Sequence, residues 1–144
     1  MTDLLVPDAS VLLKWVLPSD REEDADRALQ LKAAWLEGRC ELVVPALWAF
    51  EVGNVVGLKQ PAEAEALLGA MLDLRLPEES AAACVPQAYR LMRAHGVTFY
   101  DAVYHGLAIA RGGVMVTADR RYVLKARRSG HLQLLADWRP SRGR

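Results

Sequence analysis

The chain has 144 residues, 52% of them hydrophobic and 25% charged, which is the size and balance of one globular domain with an ordinary core. No apolar run approaches the ~20 residues that a membrane span requires. The formal net charge of zero conceals a split: residues 1–80 hold 15 acids and 7 bases, whereas residues 81–144 hold 3 acids and 11 bases. A basic half of that kind fits a polyanionic ligand if the fold does not interleave the two halves.

The opening stretch MTDLLVPDAS lacks a basic segment followed by an apolar one, so no signal peptide is expected. Leu4-Leu5-Val6 reads as a buried strand ending at Pro7-Asp8, and Val11–Val16 as a short helix stopped by Pro18. Residues 20–37 carry an apolar stripe at Ala25, Ala28, Leu31 and Trp35, the pattern of an amphipathic helix closed by Gly38. Cys40 and Cys84 are far apart, without metal-type spacing, and are expected as buried thiols in a reducing cytoplasm. Glu41–Val44 is a second strand. Ala46–Leu58 is so apolar that a buried helix is expected, and Ala62–Leu74 repeats an amphipathic pattern.

Residues 80–95 are helical by pattern, with Pro86 forcing either a late start or a kink. Thr98 opens a helix that runs to about Arg111, Val114–Val116 is a third strand, and residues 119–128 form a short basic helix. Leu132–Leu135 is a last strand, and from about residue 136 the chain reads as a frayed polar tail. Strands alternating with helices predict a parallel sheet covered on both faces, a single domain over 1–144, and a site at the carboxyl ends of the strands.

Between Leu42 and Leu58 the only polar side chains are Glu51 and Asn54, which share a helical face. Burying an unpaired carboxylate costs several kcal/mol, so an acid there calls for a partner. Asp8 ends the first strand, with Ser10 two residues on. Asp119 follows the third strand in Thr117-Ala118-Asp119, and Asp101 stands three residues after Thr98. Each of these aspartates is equally readable as part of a helix cap. As a set they place carboxylates on one rim, where hard divalent cations such as Mg²⁺ or Mn²⁺ relieve the repulsion and engage phosphate. No His or Cys set has zinc spacing. A haloacid-dehalogenase-type phosphatase needs a second aspartate where Ser10 stands, and the acid and lysine pattern of a response-regulator receiver is absent.

Asp8-Ala9-Ser10 after a strand, Glu51-x-x-Asn54 on a helix, Tyr100-Asp101-Ala102-x-Tyr104 and Val116-Thr117-Ala118-Asp119 occur in the order of the PIN domain. In detail, and in Lys14-Trp15, the chain resembles the VapC toxins of toxin–antitoxin pairs across about residues 3–135. That resemblance implies a three-layer α/β fold with a parallel sheet of about five strands and helices on both sides. It implies Mg²⁺- or Mn²⁺-dependent endoribonuclease activity, with Asp8, Glu51, Asp101 and Asp119 as the catalytic and metal-binding acids and Ser10, Asn54 and Thr117 in support. It implies an RNA substrate, a homodimer and a VapB-like antitoxin as partner. A processing nuclease without antitoxin and a non-catalytic PIN-like binding module are the alternatives.

Arg120, Arg121, Lys125, Arg127 and Arg128 are expected either on a solvated face or against RNA phosphates. His105, at i+4 from Asp101, and Lys14 are left unassigned, and Pro86 and Gly106 are departures from the pattern that concern packing. His95 and His131 read as surface residues, and the four tryptophans as core or interface.

Overall fold

The computed structural model describes residues 2–141. Strand β1 (Asp3–Pro7) buries Leu5 and Val6 and is followed by α1 (Ala9–Leu13), whose first turn is capped by the Asp8 side chain. Helix α2 (Ala25–Leu36) begins where the apolar stripe begins, later than the expected start at residue 20. A 3-10 turn occupies Ser19–Arg21, and Asp24 holds a left-handed φ of 60° just before the helix. Ala25, Ala28, Leu31 and Ala34 face the core, while Trp35 stacks on Trp15 at 6.4 Å.

The strand expected at 41–44 is two: β2 (Cys40–Leu42) and β3 (Val44–Pro45). After α3 (Trp48–Lys59) and α4 (Ala64–Asp73), residues Glu78–Glu79 form β4, a strand with no apolar signature in the sequence. Helices α5 (Ala81–His95) and α6 (Phe99–Arg111) lead to β5 (Val114–Thr117). Then come α7 (Arg120–Ala126), a 3-10 turn at Arg127–Ser129, and β6 (Leu132–Leu134).

The main sheet is parallel throughout, in the order β2-β1-β5-β6, and β3 pairs with β4 as a second parallel sheet. Val43 N–H donates to Leu5 O, whereas Val44 N–H donates to Pro77 O. The run 40–45 therefore leans on β1 at its start and on β4 at its end. The expected sheet of about five strands is thus four strands plus a pair that extends it, flanked by helices. The chain turns back between β1 and β5, so the crevice at their carboxyl ends is a topological switch point.

Pro86 lies inside α5, which runs through it from Ala81, so the late start is excluded. The same stretch meets Gly106 of α6. A Cβ at Gly106 would stand 2.8 Å from Ala88 N and 3.0 Å from Cys84 O, so the two helices touch backbone to backbone. The polar tail begins later than residue 136. Leu135–Asp137 form a 3-10 turn, Trp138 is buried, and its carbonyl accepts from Arg27 Nη1 at 3.2 Å. Residues 142–144 of that expected tail lie outside the described residues.

The apolar helix α3 is not a buried helix. Val52 and Val56 face inward with Trp48, but Phe50 is 78% exposed and Leu58 76% exposed. Composition cannot separate a helix buried all round from one with an apolar outer face, because both read as unbroken hydrophobicity. No helix among the described residues is long and apolar enough to cross a membrane.

Candidate active site

Asp8 leaves β1 at the switch point and is 8% exposed. Its Oδ1 accepts from Ser10 Oγ at 2.5 Å and from Val11 N–H at 3.3 Å, and its Oδ2 accepts from Thr117 Oγ1 at 2.6 Å. Ser10 Oγ in turn accepts from Ala118 N–H at 2.9 Å, and Thr117 Oγ1 accepts from Asp119 N–H at 3.0 Å. The ends of β1 and β5 are therefore stitched together through the two hydroxyls. Burial pushes the Asp8 carboxyl up to about 6, against the lowering effect of its donors, and Asp101 adds a smaller upward push. Among the described residues no lysine or arginine bonds it.

Asp101 sits in the first turn of α6, where Thr98 caps its backbone N–H at 3.3 Å. Its carboxyl is raised by burial, lowered by Thr98, raised by Asp119 and lowered by Lys125. Glu51, half-buried on the flank of α3, accepts from Tyr104 Oη at 2.6 Å, and its carboxyl is raised by burial and by Asp101. Asp119 caps α7 through Tyr122 N–H at 3.1 Å. Asp101 is thus the common electrostatic neighbour of Asp8, Glu51 and Asp119, and the four acids arrive from β1, α3, α6 and the end of β5.

Asn54 does not join them. It lies one turn beyond Glu51 and faces solvent. Lys14 is buried and pairs with Glu22 at 3.5 Å, away from the acids. Arg121 and Lys125, one turn apart on α7, line a cleft of about 210 Å³ together with Asp101 and Asp119. Arg120, Arg127 and Arg128 are exposed and do not line it.

Tyr104 is the functional contact that the sequence reading lacked. Its position three residues after Asp101 puts it on the same helical face, which is the signal that could have found it. His105 is fully buried and bonds Tyr122 Oη and Gly130 O, so it lies behind the acids rather than among them.

The donor set is all oxygen, which suits a hard divalent cation, and a buried carboxyl raised to about 6, with no basic partner among the described residues, is a place where a cation would stabilise the charged form. As they stand, no three or more His, Cys, Asp or Glu among the described residues are close enough to enclose an ion.

The fold and this acidic rim place the chain among α/β proteins that collect carboxylates at a topological switch point. The PIN domain profile matches residues 5–128, and the chain belongs to the PIN domain family. It is 34% identical over 129 residues to Ribonuclease VapC3 of Pyrobaculum aerophilum, covering 84% of this chain and 93% of that protein. The fold is shared with PAE2754 from Pyrobaculum aerophilum, with a TM-score of 0.66, 23% identity, and coverage of 94% of this chain and 85% of that one. It is shared also with a chain of VapBC2 from Rickettsia felis bound to a DNA fragment from their promoter. There the TM-score is 0.64 at 16% identity, over 91% of this chain and 96% of that one.

Proposed function

We propose that this chain is a divalent-metal-dependent endoribonuclease, the toxin of a VapBC-type pair, with Asp8, Glu51, Asp101 and Asp119 as its reactive acids. The observation that carries the reading is that Asp8, Glu51 and Asp119 each lie near enough to Asp101, at the switch point, for the charges to act on one another, in a chain with PIN family membership. Asp8, Asp101 and Asp119, with Glu51 beside them, would hold the cation, Mg²⁺ or Mn²⁺. A bound cation of this kind supplies Lewis acidity toward a phosphodiester and lowers the pKa of water.

The chain's own residues do the rest. Ser10 and Thr117 fix both oxygens of Asp8, Tyr104 orients Glu51, and Arg121 and Lys125 offer positive charge to RNA phosphates beside Asp101 and Asp119. The buried free thiols of Cys40 and Cys84 fit the cytoplasm, where RNA is at hand.

The exposed Phe50 and Leu58, both on α3, suit a partnered protein better than a processing nuclease that works alone, since a partner would cover them. A VapB-like antitoxin and a second copy of the chain are the partners. The test is RNA cleavage by the purified chain, with Asp8→Asn and Asp101→Asn beside it. Loss of cleavage in both variants, with the fold retained, is expected, and full activity in both would remove the acids from the reaction. Expression in the host with and without the neighbouring reading frame tests the toxin assignment, because harmless expression of an active nuclease returns the processing role.

A further inference from the structure

The interior of the α6–α7 contact holds an imidazole that the acid site does not use. His105 is fully buried, with Nε2 2.7 Å from Gly130 O and Nδ1 2.7 Å from Tyr122 Oη. A carbonyl only accepts, so Nε2 carries the ring proton and Nδ1 accepts the Tyr122 hydroxyl proton. Burial lowers the His105 pKa, which favours the neutral ring that this arrangement uses. The two partners stand at opposite ends of the segment that begins at Asp119. Tyr122 is in the first turn of α7, and its backbone N–H is the one capped by Asp119. Gly130 lies at the turn before β6, with φ 68° and ψ −167°, a conformation that belongs essentially to glycine. His105 itself is one helical turn after Asp101.

We propose that His105 is a positioning residue: by holding the Tyr122 hydroxyl and the Gly130 carbonyl at once, it sets where Asp119 stands relative to Asp101. The argument rests on the acid-site reading above and adds to it a residue outside the acid set. A leucine at 105 would fill similar space but leave the Tyr122 hydroxyl buried without a partner and release the tie to the Gly130 carbonyl, which α7 relieves by moving. Asp119 moves with it, since its carboxylate is tied to the Tyr122 backbone. The other two histidines tie the same turn without touching Tyr122: His95 meets Ser129 Oγ at 2.6 Å, and His131 Nδ1 donates to Gly113 O at 2.8 Å.

The experiment compares the parent chain with His105→Leu, Tyr122→Phe, His105→Gln, His95→Ala and His131→Ala. Mn²⁺ binding to the metal-free proteins is read from the electron paramagnetic resonance of free Mn²⁺, and RNA cleavage is resolved into kcat and KM. His105→Leu and Tyr122→Phe should weaken Mn²⁺ binding by about tenfold or more, the usual scale for losing an outer support of a metal ligand. They should lower kcat while leaving KM for RNA within about twofold, the mark of lost positioning rather than lost binding.

His105→Gln, whose amide offers one donor and one acceptor, should recover most of both. His95→Ala and His131→Ala should bind Mn²⁺ as the parent does, whatever they cost in melting temperature. Parent-like Mn²⁺ binding in both His105→Leu and Tyr122→Phe would overturn the proposal. Equal weakening in His95→Ala and His131→Ala would also overturn it, because the loss would then follow the stability of the turn. If His105→Leu fails to fold, Tyr122→Phe, which removes a single oxygen, decides. A parent chain that binds no Mn²⁺ and cleaves no RNA removes the acid site first, a distinct result, and this proposal with it.

Discussion

Replacing Asp8 with Asn separates what the carboxylate costs the fold from what it contributes to the site. Burial raises this carboxyl from 3.8 to about 6, so the folded, metal-free chain binds the Asp8 proton more tightly than the unfolded chain does. The resulting penalty is absent below about pH 4, grows as pH rises toward 6 and is complete at neutral pH. A shift of roughly two units corresponds to about 3 kcal/mol at pH 7. Asn carries no charge, caps a helix as well as Asp does, and can accept from Val11 N–H and donate to Thr117 Oγ1.

In EDTA at pH 7, Asp8→Asn is therefore expected to melt several degrees above the parent, at about 2–4 °C per kcal/mol for a chain near this size. The difference should shrink toward pH 4. Mn²⁺ at about a hundred times its dissociation constant should stabilise the parent by about 2.7 kcal/mol and the variant far less, reversing or closing the gap. Calorimetry in EDTA and in Mn²⁺, at pH 4.5 and 7, reads all of this. A variant less stable than the parent in EDTA at pH 7 would refute the burial argument. An equal Mn²⁺ shift in both proteins would refute a ligand role for Asp8.

Tyr104→Phe removes the hydroxyl that donates to Glu51, so the Glu51 carboxyl rises further. The acid limb of the cleavage pH profile should move upward by about one unit, given the strength of a hydrogen bond to a charged group. Reversing Arg121 and Lys125 to Glu should weaken RNA binding and lower its salt slope by about two phosphates. The same change at Arg127 and Arg128, outside the cleft, should do less, as filter binding across a salt series would show. Phe50→Asp with Leu58→Asp should leave the melting temperature within about 1 °C, as expected of exposed positions, and abolish co-purification with the proposed antitoxin, the product of the neighbouring reading frame.

The strands of the main sheet were legible because short apolar runs end at turn residues, and of the candidate acids Asp8 and Asp119 follow those runs, whereas Glu51 and Asp101 are carried by helices. Capping and catalysis stood as rival readings of Asp8 and Asp119. Both aspartates do cap helices, yet a cap uses one carboxylate face and leaves room for other duties, so the readings do not compete. Strand β4 was not legible: Glu78-Glu79 has no apolar pattern, and it pairs because Val44 and Ala46 N–H groups find Pro77 O and Glu79 O. The exposure of Asn54 was not legible because its helix was taken as buried, and the outer face of α3 shows nothing of its exposure in composition. The depth of His105 was hidden for a related reason. Its spacing from Asp101 reports a shared face, not which neighbour covers that face.

Gly106 sits immediately after Tyr104 and His105 on the helix that carries Asp101, and it touches the main chain of α5 at Cys84 and Ala88 with nothing interposed. A spacing fixed by backbone radii has no rotamers to adjust. Substitutions on the outward side of α5 can therefore accumulate over generations without transmitting a displacement to the acids. The immunity has one gap. At position 106 a single methyl group would push α6 as one body, and Asp101, Tyr104 and His105 would all shift by the same step.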